Sequence, residues 1–181
     1  MTPELRTKRL LLRAFALEDA GEVQRLAGHP AVSKLTSNVP YPYLDGEAEK
    51  WISTHAENAK IGKGFVWALC SGPELSVVGA ISLLDMVGGH KAEIGYWLGH
   101  EYWGQGLMVE AGHVVVAYGF LALDLRRIGA STYRANIGSR RVLEELGFKY
   151  EGCKRCNLLK DGKFHDQMFW GLLQEEWNEK R

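Results

Sequence analysis

Several features that would assign a protein to other classes are scarce or missing in this sequence of 181 residues. Basic residues show no surplus, because Lys plus Arg and Asp plus Glu both number 22, so a nucleic-acid binder that relies on phosphate contacts is not expected. No apolar run approaches the roughly 20 residues of a membrane-spanning helix. The opening MTPELRTKRLLLR lacks the apolar core and small-residue cleavage site of a signal peptide. We therefore expect a cytoplasmic protein that binds neither nucleic acid nor a membrane.

Cysteine is also scarce, with three residues, an odd number that fits a reducing compartment better than a disulfide framework. Cys153 and Cys156 form one C-x-x-C pair, but a second pair is missing. In a strand, residues i and i+3 also point to opposite faces. Glu110 and His113 form half of a di-iron motif without its second copy. We therefore expect no metal site.

Repeats, linkers and low-complexity segments are missing as well, so a single domain over residues 1–181 is expected. Apolar periodicity and turn signals predict the order β-α-α-β-β-β-α-β-α-β-β. In chain order, we predict strand 8–15, helix 18–28, helix 47–60 capped by Asp45, strands 65–71, 75–86 and 92–99, helix 105–122, strand 127–133, helix 137–146, strands 148–159 and 166–173, and helix 174–180.

The strands 92–99 and 127–133 flank a long helix, and such a crossover connection makes two strands parallel. The hairpin-connected strands around them are expected to be antiparallel. The fold class predicted from this pattern is α+β, a mixed central sheet with helices on both faces.

The long helix begins unusually, because 103-WGQGLM-108 has glycines where Ser, Thr, Asp or Asn would normally cap it. A helix N-terminus offers unpaired N–H groups and a partial positive charge, and glycines remove the side chains that would keep a phosphate away. The turn therefore predicts a phosphate or pyrophosphate site, the alternative being a tight connection without a ligand. One buried face is expected along the helix, formed by Leu107, Ala111, Val114, Val115, Tyr118 and Leu121.

Two common phosphate-binding motifs do not fit this turn. A Rossmann motif would need a glycine where Val109 stands, and a P-loop would need Gly-Lys-Ser/Thr. A second segment, 134-RANIGSRRVLEELGF-148, follows the next strand, with Asn136 placed to cap a helix and Ser139 in its first turn. Both segments follow adjacent parallel strands, at the edge where open sheets bind ligands.

Four stretches together resemble a known family: TKRLLLR, 93-EIGYWLGHEYWGQGLMVEA-111, 136-NIGSRRVLEELGF-148 and LLQEEW. They are similar to the GNAT-fold acyl-CoA N-acyltransferases, closest to the RimJ/RimL-like branch that includes ribosomal-protein N-terminal acetyltransferases. The resemblance covers nearly the whole chain and implies acetyl-CoA as the acyl donor. It is compatible with a homodimer.

The resemblance also implies which residues hold acetyl-CoA. The backbone around Trp97 and Leu98 would pair with the pantetheine arm. The amides of the turn would hold the pyrophosphate, and these belong to Trp103, Gly104, Gln105, Gly106, Leu107 and Met108. Asn136 would bind the pantetheine or the substrate amide, and Arg141 is a further cofactor-binding candidate. Trp103 and Met108 depart from the family's broad pattern Gln/Arg-x-x-Gly-x-Gly/Ala, and Met108 puts a larger side chain on the first turn.

Acetyl transfer to an amine needs one group that removes a proton from the amine and one that protonates the departing thiolate. Ser139 is the candidate thiolate partner, and its alternative role is a hydroxyl at a helix start. Glu93 is the candidate base, directly or through water, and its alternative role is a surface carboxylate paired across strands. His165 and Asp166 are the other acid–base candidates, although adjacent strand residues point to opposite faces, which disfavours a direct dyad.

The acceptor amine carries no transferable motif. By resemblance, the region of Tyr43 and Trp51 borders the acceptor site, and we add His165 and Asp166 as substrate-binding candidates. The expected acceptor is a protein N-terminal α-amine. The alternatives are a small amine, such as a polyamine, an aminoglycoside or an amino-acid derivative, and a non-catalytic acyl-CoA-binding domain.

Overall fold

A computed structural model describes residues 1–179, whose strands form an eight-stranded mixed sheet in the order β1-β2-β3-β4-β5-β6-β8-β7. The strands are β1 (Leu5–Arg6), β2 (Leu10–Arg13), β3 (Phe65–Ser71), β4 (Ser76–Val87), β5 (Lys91–Leu98), β6 (Arg127–Tyr133), β7 (Lys149–Lys160) and β8 (Lys163–Leu173). The pair β5 and β6 is parallel, and the other neighbours are antiparallel. This arrangement confirms the mixed sheet that the crossover helix predicts.

The helices lie on both faces of this sheet. They are α1 (Ala20–Ala27), α2 (Pro30–Ser33), α3 (Glu47–Ser53), α4 (His55–Lys60), α5 (Leu107–Leu121), α6 (Ile137–Leu146) and α7 (Gln174–Asn178). One face packs against α5 in the largest apolar cluster, whereas α1 and α3 form a second cluster with Phe15, Trp51 and Trp97. The α+β fold class is therefore confirmed. None of the helices in the described residues is long and apolar enough to cross a membrane.

The helix predicted over 47–60 is two helices, because Thr54 interrupts it. The Thr54 hydroxyl donates to the Trp51 carbonyl at 2.8 Å and so competes with the regular helical bond to that oxygen. Asp45 is not the cap: Gly46 occupies that position with a left-handed φ of 84°, and the Asp45 carboxylate accepts from Gln24 Nε2 at 2.9 Å. These two details of the prediction were wrong.

Two short elements, β1 and α2, were not predicted. Helix α2 begins on Pro30, and His29 Nδ1 accepts from the Ala31 amide at 3.2 Å as its cap. The tail helix ends at Asn178, whereas residue 180 of the predicted span lies outside the described residues.

The buried face of α5 differs from the predicted one, because the helix is covered on two sides. Leu121 is 65% exposed, whereas Met108 and Phe120 are buried. Gly112 faces α6 so closely that an added Cβ would lie 2.5 Å from Leu146. Apolar periodicity does not single out small residues such as Gly112, which nevertheless form part of the contact between α5 and α6.

Strands β5 and β6 stay together for only three residue pairs, the last of which is Glu93 with Gly129. Beyond this pair, β5 remains bonded to β4 as far as Leu98, and β6 remains bonded to β8 as far as Tyr133. The two strands therefore separate toward their carboxyl ends and leave a gap between β5 and β6.

Candidate active site

The β5 side of this gap carries main-chain groups that no strand of the sheet uses. The Gly99 amide donates to the Val78 carbonyl at 2.9 Å, so the main-chain N–H and C=O of Gly99 face β4. Because the direction of the main-chain groups alternates from residue to residue along a strand, those of Trp97, two residues earlier, face β4 as well. The N–H and C=O of Tyr96 and Leu98 then face the gap, where the Leu98 carbonyl accepts from the Trp103 indole at 2.7 Å. Of the two backbone positions expected to meet the pantetheine arm, Leu98 has main-chain groups that face the gap, whereas those of Trp97 face β4.

The glycine turn lies between this gap and α5. Gly104 and Gly106 both have a left-handed φ of 73°, which explains why glycine occupies both positions. The first helical hydrogen bond runs from the Glu110 amide to the Gly106 carbonyl at 3.1 Å. Within residues 1–179, no oxygen accepts from the amides of residues 104–106, and those of 107–109 belong to the unpaired first turn. This cluster of free N–H groups at an exposed turn suits an anionic ligand.

Arg9 fastens the turn to the edge of the sheet. Its Nη1 donates to the Gln105 carbonyl at 2.8 Å, and its Nε donates to the Glu110 carboxylate at 2.6 Å. The guanidinium adds a positive charge beside the free amides, 3.7 Å from where a Cβ on Gly106 would stand. The sequence alone did not point to Arg9 as a site residue, because it meets the turn only when β2 lies beside α5.

A pair of hydroxyl groups lies where α6 begins. Ser139 Oγ lies 2.9 Å from the Tyr96 hydroxyl, which is also within 3.2 Å of the Ser139 carbonyl. Asn136 caps the helix as predicted, since its Oδ1 accepts from the Ser139 amide at 3.0 Å. Burial raises the pKa of Tyr96, against a lowering by its hydrogen bond with Ser139, so the phenol stays neutral and able to donate. The sequence pointed to Ser139 and Asn136 but gave no signal for Tyr96.

Glu93 lies apart from the hydroxyl pair. It is three residues before Tyr96 on β5, roughly 10 Å along the strand and on the opposite face. Its carboxylate extends over Gly129, where an added Cβ would lie 2.2 Å from Glu93 Oε1. Partial burial raises the pKa of Glu93, and the nearby Arg127 opposes this shift. The raised pKa suits a proton acceptor, but within the described residues Glu93 does not contact Ser139.

His165 and Asp166 border a cleft but do not form a dyad. The cleft of about 320 Å³ is lined by Tyr133, Arg134, Ala135, Phe164, His165 and Asp166. The Asp166 carboxylate accepts from the Cys156 amide at 3.0 Å and from Arg134 at 3.3 Å, and these bonds lower its pKa. His165 instead packs edge-on against Tyr133, with ring centroids 5.2 Å apart.

Tyr133, which lines this cleft, carries a buried hydroxyl that sequence patterns did not indicate. The residue is 6% exposed, and its hydroxyl is buried without a hydrogen-bond partner in the described part of the chain. A buried hydroxyl without a partner is costly, so Tyr133 carries a polar group that the described part of the fold leaves unsatisfied.

The remaining candidates have packing contacts or none. Trp51 packs against Phe15 at 5.0 Å and His55 at 4.4 Å between ring centroids. Tyr43 packs on Gly28, where an added Cβ would lie 2.9 Å away. Arg141 is exposed on α6 and has no hydrogen-bond or ion-pair partner within residues 1–179. No group of three or more potential metal-binding side chains occurs among the described residues.

Comparisons with known proteins agree with this geometry. The model of the acetyltransferase (GNAT) domain family matches residues 9–149. A relative named "Putative ribosomal N-acetyltransferase YdaF", from Bacillus subtilis, is 40% identical over 104 residues, which are 56% of each chain. The "[Ribosomal protein uS5]-alanine N-acetyltransferase" of Escherichia coli is 31% identical over 124 residues, 67% of this chain and 64% of that protein. Both matches thus span less than two thirds of the relative's length.

A solved structure extends the similarity over nearly the whole fold. It is titled as RimL, a ribosomal L7/L12 alpha-N-protein acetyltransferase, in complex with coenzyme A. The TM-score is 0.86 at 19% identity, and the match covers 94% of this chain and 98% of the other. The family match over residues 9–149, the separated strands and the free amides at the glycine turn lead to one conclusion: the chain belongs to the GNAT acetyltransferase family, and it is an acetyl-CoA-dependent N-acetyltransferase.

Proposed function

We propose that this enzyme acetylates the α-amine of a protein or peptide N-terminus, with Ser139 protonating the thiolate that departs. The observation that carries the proposal is the 2.9 Å contact between Ser139 Oγ and the Tyr96 hydroxyl beside the gap between β5 and β6. The names of two relatives support the acceptor, since one is called a ribosomal N-acetyltransferase and the other a ribosomal-protein uS5 alanine N-acetyltransferase.

The residues around the gap fit acetyl-CoA, which supplies an activated acyl group as a thioester when bound. The main-chain groups of Tyr96 and Leu98 would pair with amides of the pantetheine arm, in the way that strands pair. The amides of residues 104–108 would hold the pyrophosphate, with Arg9 adding charge, whereas the Trp103 amide already donates to the His100 carbonyl at 3.2 Å. Asn136 and Arg141 would complete the binding from the side of α6.

The hydroxyl pair divides its work between orientation and proton donation. Tyr96 keeps its proton because burial raises its pKa, so its hydroxyl can fix the direction of the Ser139 hydroxyl. Ser139 then gives a hydrogen bond to the departing thiolate, whose conjugate thiol has an ordinary pKa of about 8.5. As the serine proton passes to the sulfur, the serine oxygen takes a proton from the Tyr96 hydroxyl, and solvent returns one to Tyr96. Such general-acid assistance is worth roughly 10²- to 10⁴-fold at most.

Replacing Glu93 by glutamine is expected to remove the acidic limb of the pH–rate profile. If Glu93 takes the amine proton, kcat/KM in the wild type rises with pH through the raised pKa of this carboxyl, and Glu93→Gln loses that rise. An α-amine, with a pKa of about 7.7–8.0, is largely neutral by pH 9, so the variant should recover most of its rate there. Steady-state kcat/KM from pH 6 to 9 measures both effects.

Glu151→Gln is the matched control for this profile. It removes a negative charge that raises the pKa of Glu93 and frees Arg127, which lowers it, so the limb should persist but move to lower pH. Identical profiles for wild type and Glu93→Gln would remove Glu93 from the mechanism. A deep loss that pH 9 does not repair would assign it to acceptor positioning instead.

The acceptor itself is tested by thiol release from acetyl-CoA with matched peptides. A peptide with a free N-terminus and no lysine should be acetylated, whereas the same peptide with a blocked N-terminus and one lysine should not. A lysine amine, with a pKa of about 10.4, is about 0.1% neutral at pH 7.5, which adds to the discrimination. Turnover of polyamines or aminoglycosides in place of peptides would contradict the proposal, and so would tight acetyl-CoA binding without turnover of any amine.

A further inference from the structure

Lys160, the last residue of β7, attaches the β7–β8 hairpin to a distant segment of the chain. Its ammonium donates to the Ser33 carbonyl at 2.6 Å, to the Val39 carbonyl at 2.7 Å and to the Thr36 carbonyl. A lysine ammonium has three N–H donors, so all of them are used. We call segment 33–39 together with Lys160 the clasp.

The clasp is specific to this lysine. Burial lowers the pKa of Lys160, and the three carbonyl oxygens replace the water that the charge has lost. Lys163, at the other end of the same turn, pairs with Lys160 in the strand register but is exposed. Segment 33–39 also has an internal hydrogen bond that joins its two ends, because the Ser33 hydroxyl donates to the Val39 carbonyl at 3.2 Å.

A second bond joins the clasp to the catalytic side of the molecule. Asn136 Nδ2 donates to the Leu35 carbonyl at 3.2 Å, while Oδ1 of the same side chain caps the helix at Ser139. Segment 33–39 therefore spans the distance between the hydroxyl pair and the tip of the β7–β8 hairpin. The cleft that contains Tyr133 and His165 lies on this side, since its walls directly precede Asn136 and directly follow the hairpin turn.

We propose that Lys160 is a specificity-determining residue, which narrows the acceptor entrance by holding segment 33–39 against the β7–β8 hairpin. With the clasp closed, a slender chain end such as an extended peptide N-terminus enters, and broad or branched amines are excluded. The peptide nature of the occupant rests on the proposed function, whereas the narrowing by Lys160 does not.

Lys160→Met tests the clasp, because it keeps an unbranched apolar stem and removes the ammonium. We expect the KM for the peptide acceptor to rise roughly tenfold, as loss of positioning does, with kcat changed by less than about twofold. The Kd of acetyl-CoA should stay the same, and amide hydrogen exchange in segment 33–39 should accelerate. Lys163→Met, on the same hairpin, should match the wild type in all four measurements.

The outcomes separate this inference from the proposed function. Faster exchange in segment 33–39 with an unchanged KM would overturn the role of Lys160, and so would a fall in kcat alone. If the wild type acetylates a small amine and no peptide, the proposed acceptor is wrong. In that case the ratio of the KM values of Lys160→Met and Lys163→Met for that amine decides whether the clasp narrows the acceptor entrance. If Lys160→Met does not fold, Lys160→Gln replaces it, since its neutral amide has only two N–H donors for the three carbonyls, and an unchanged KM there would also overturn the inference.

Discussion

Replacement of Ser139 by alanine is expected to lower kcat for acetyl transfer by roughly ten- to a thousandfold, within or below the usual range for a general acid. The Kd of acetyl-CoA should change little, because the Ser139 amide remains capped by Asn136 and the helix start is kept. Pre-steady-state and steady-state rates of thiol release, together with calorimetric CoA binding, provide the two measurements.

Tyr96→Phe is the matched control, since it removes only the hydroxyl that contacts Ser139 at 2.9 Å. If the two hydroxyl groups act as a unit, each single variant should cost most of what the double variant costs, and the effects should not add. Full activity in Ser139→Ala would return this residue to its structural role at a helix start. Additive losses would show that Tyr96 acts independently.

Replacement of Gly106 by valine is expected to weaken CoA binding by more than tenfold and to destabilise the fold as well. The backbone at Gly106 has a φ of 73°, where a residue with a side chain costs roughly 1–2 kcal/mol. The valine side chain would also stand in front of the free amides, so a phosphate could not approach them. Calorimetry gives the change in Kd, and thermal unfolding gives the change in stability.

Gly72→Val separates these two effects, because Gly72 has a φ of 77° and open space around it in the turn between β3 and β4. It should reproduce the backbone penalty and leave CoA affinity unchanged. Equal losses of stability in Gly72→Val and Gly106→Val, with unchanged CoA affinity in both, would show that the glycines serve the turn alone.

Local signals explain which parts of the fold were predictable. The bounds of β6 and α6 agree with the prediction, because Asn136 caps α6 and Gly147 ends it in the left-handed conformation with a φ of 93°. The break between α3 and α4 depends on a competition at the Trp51 carbonyl, which residue periodicity does not report. The buried face of α5 depends on α6, which covers it from a second side.

In the candidate site, too, the residues of local motifs were predictable and those that depend on long-range contacts were not. The free amides and Ser139 belong to short motifs, so the sequence indicates them. Tyr96, Arg9 and Lys160 meet their partners across 43 to 127 residues of chain, and the partners become neighbours only in the folded sheet. The choice between Tyr96 and Trp97 likewise depends on which strand edge β4 occupies.

The separation of β5 from β6 leaves an unpaired strand edge inside the sheet rather than at its border. Exposed edges usually invite another polypeptide, but here both sides diverge from the pair formed by Glu93 and Gly129. A regular ladder of hydrogen bonds needs a constant spacing of about 4.8 Å between neighbouring strands. The gap between β5 and β6 widens along its length, so it does not offer that spacing to an incoming strand. A thin, linear molecule with a few amides along its length meets no such restriction. The diverging strands thus offer exposed main-chain groups in a form that suits a thin, linear ligand better than another polypeptide strand.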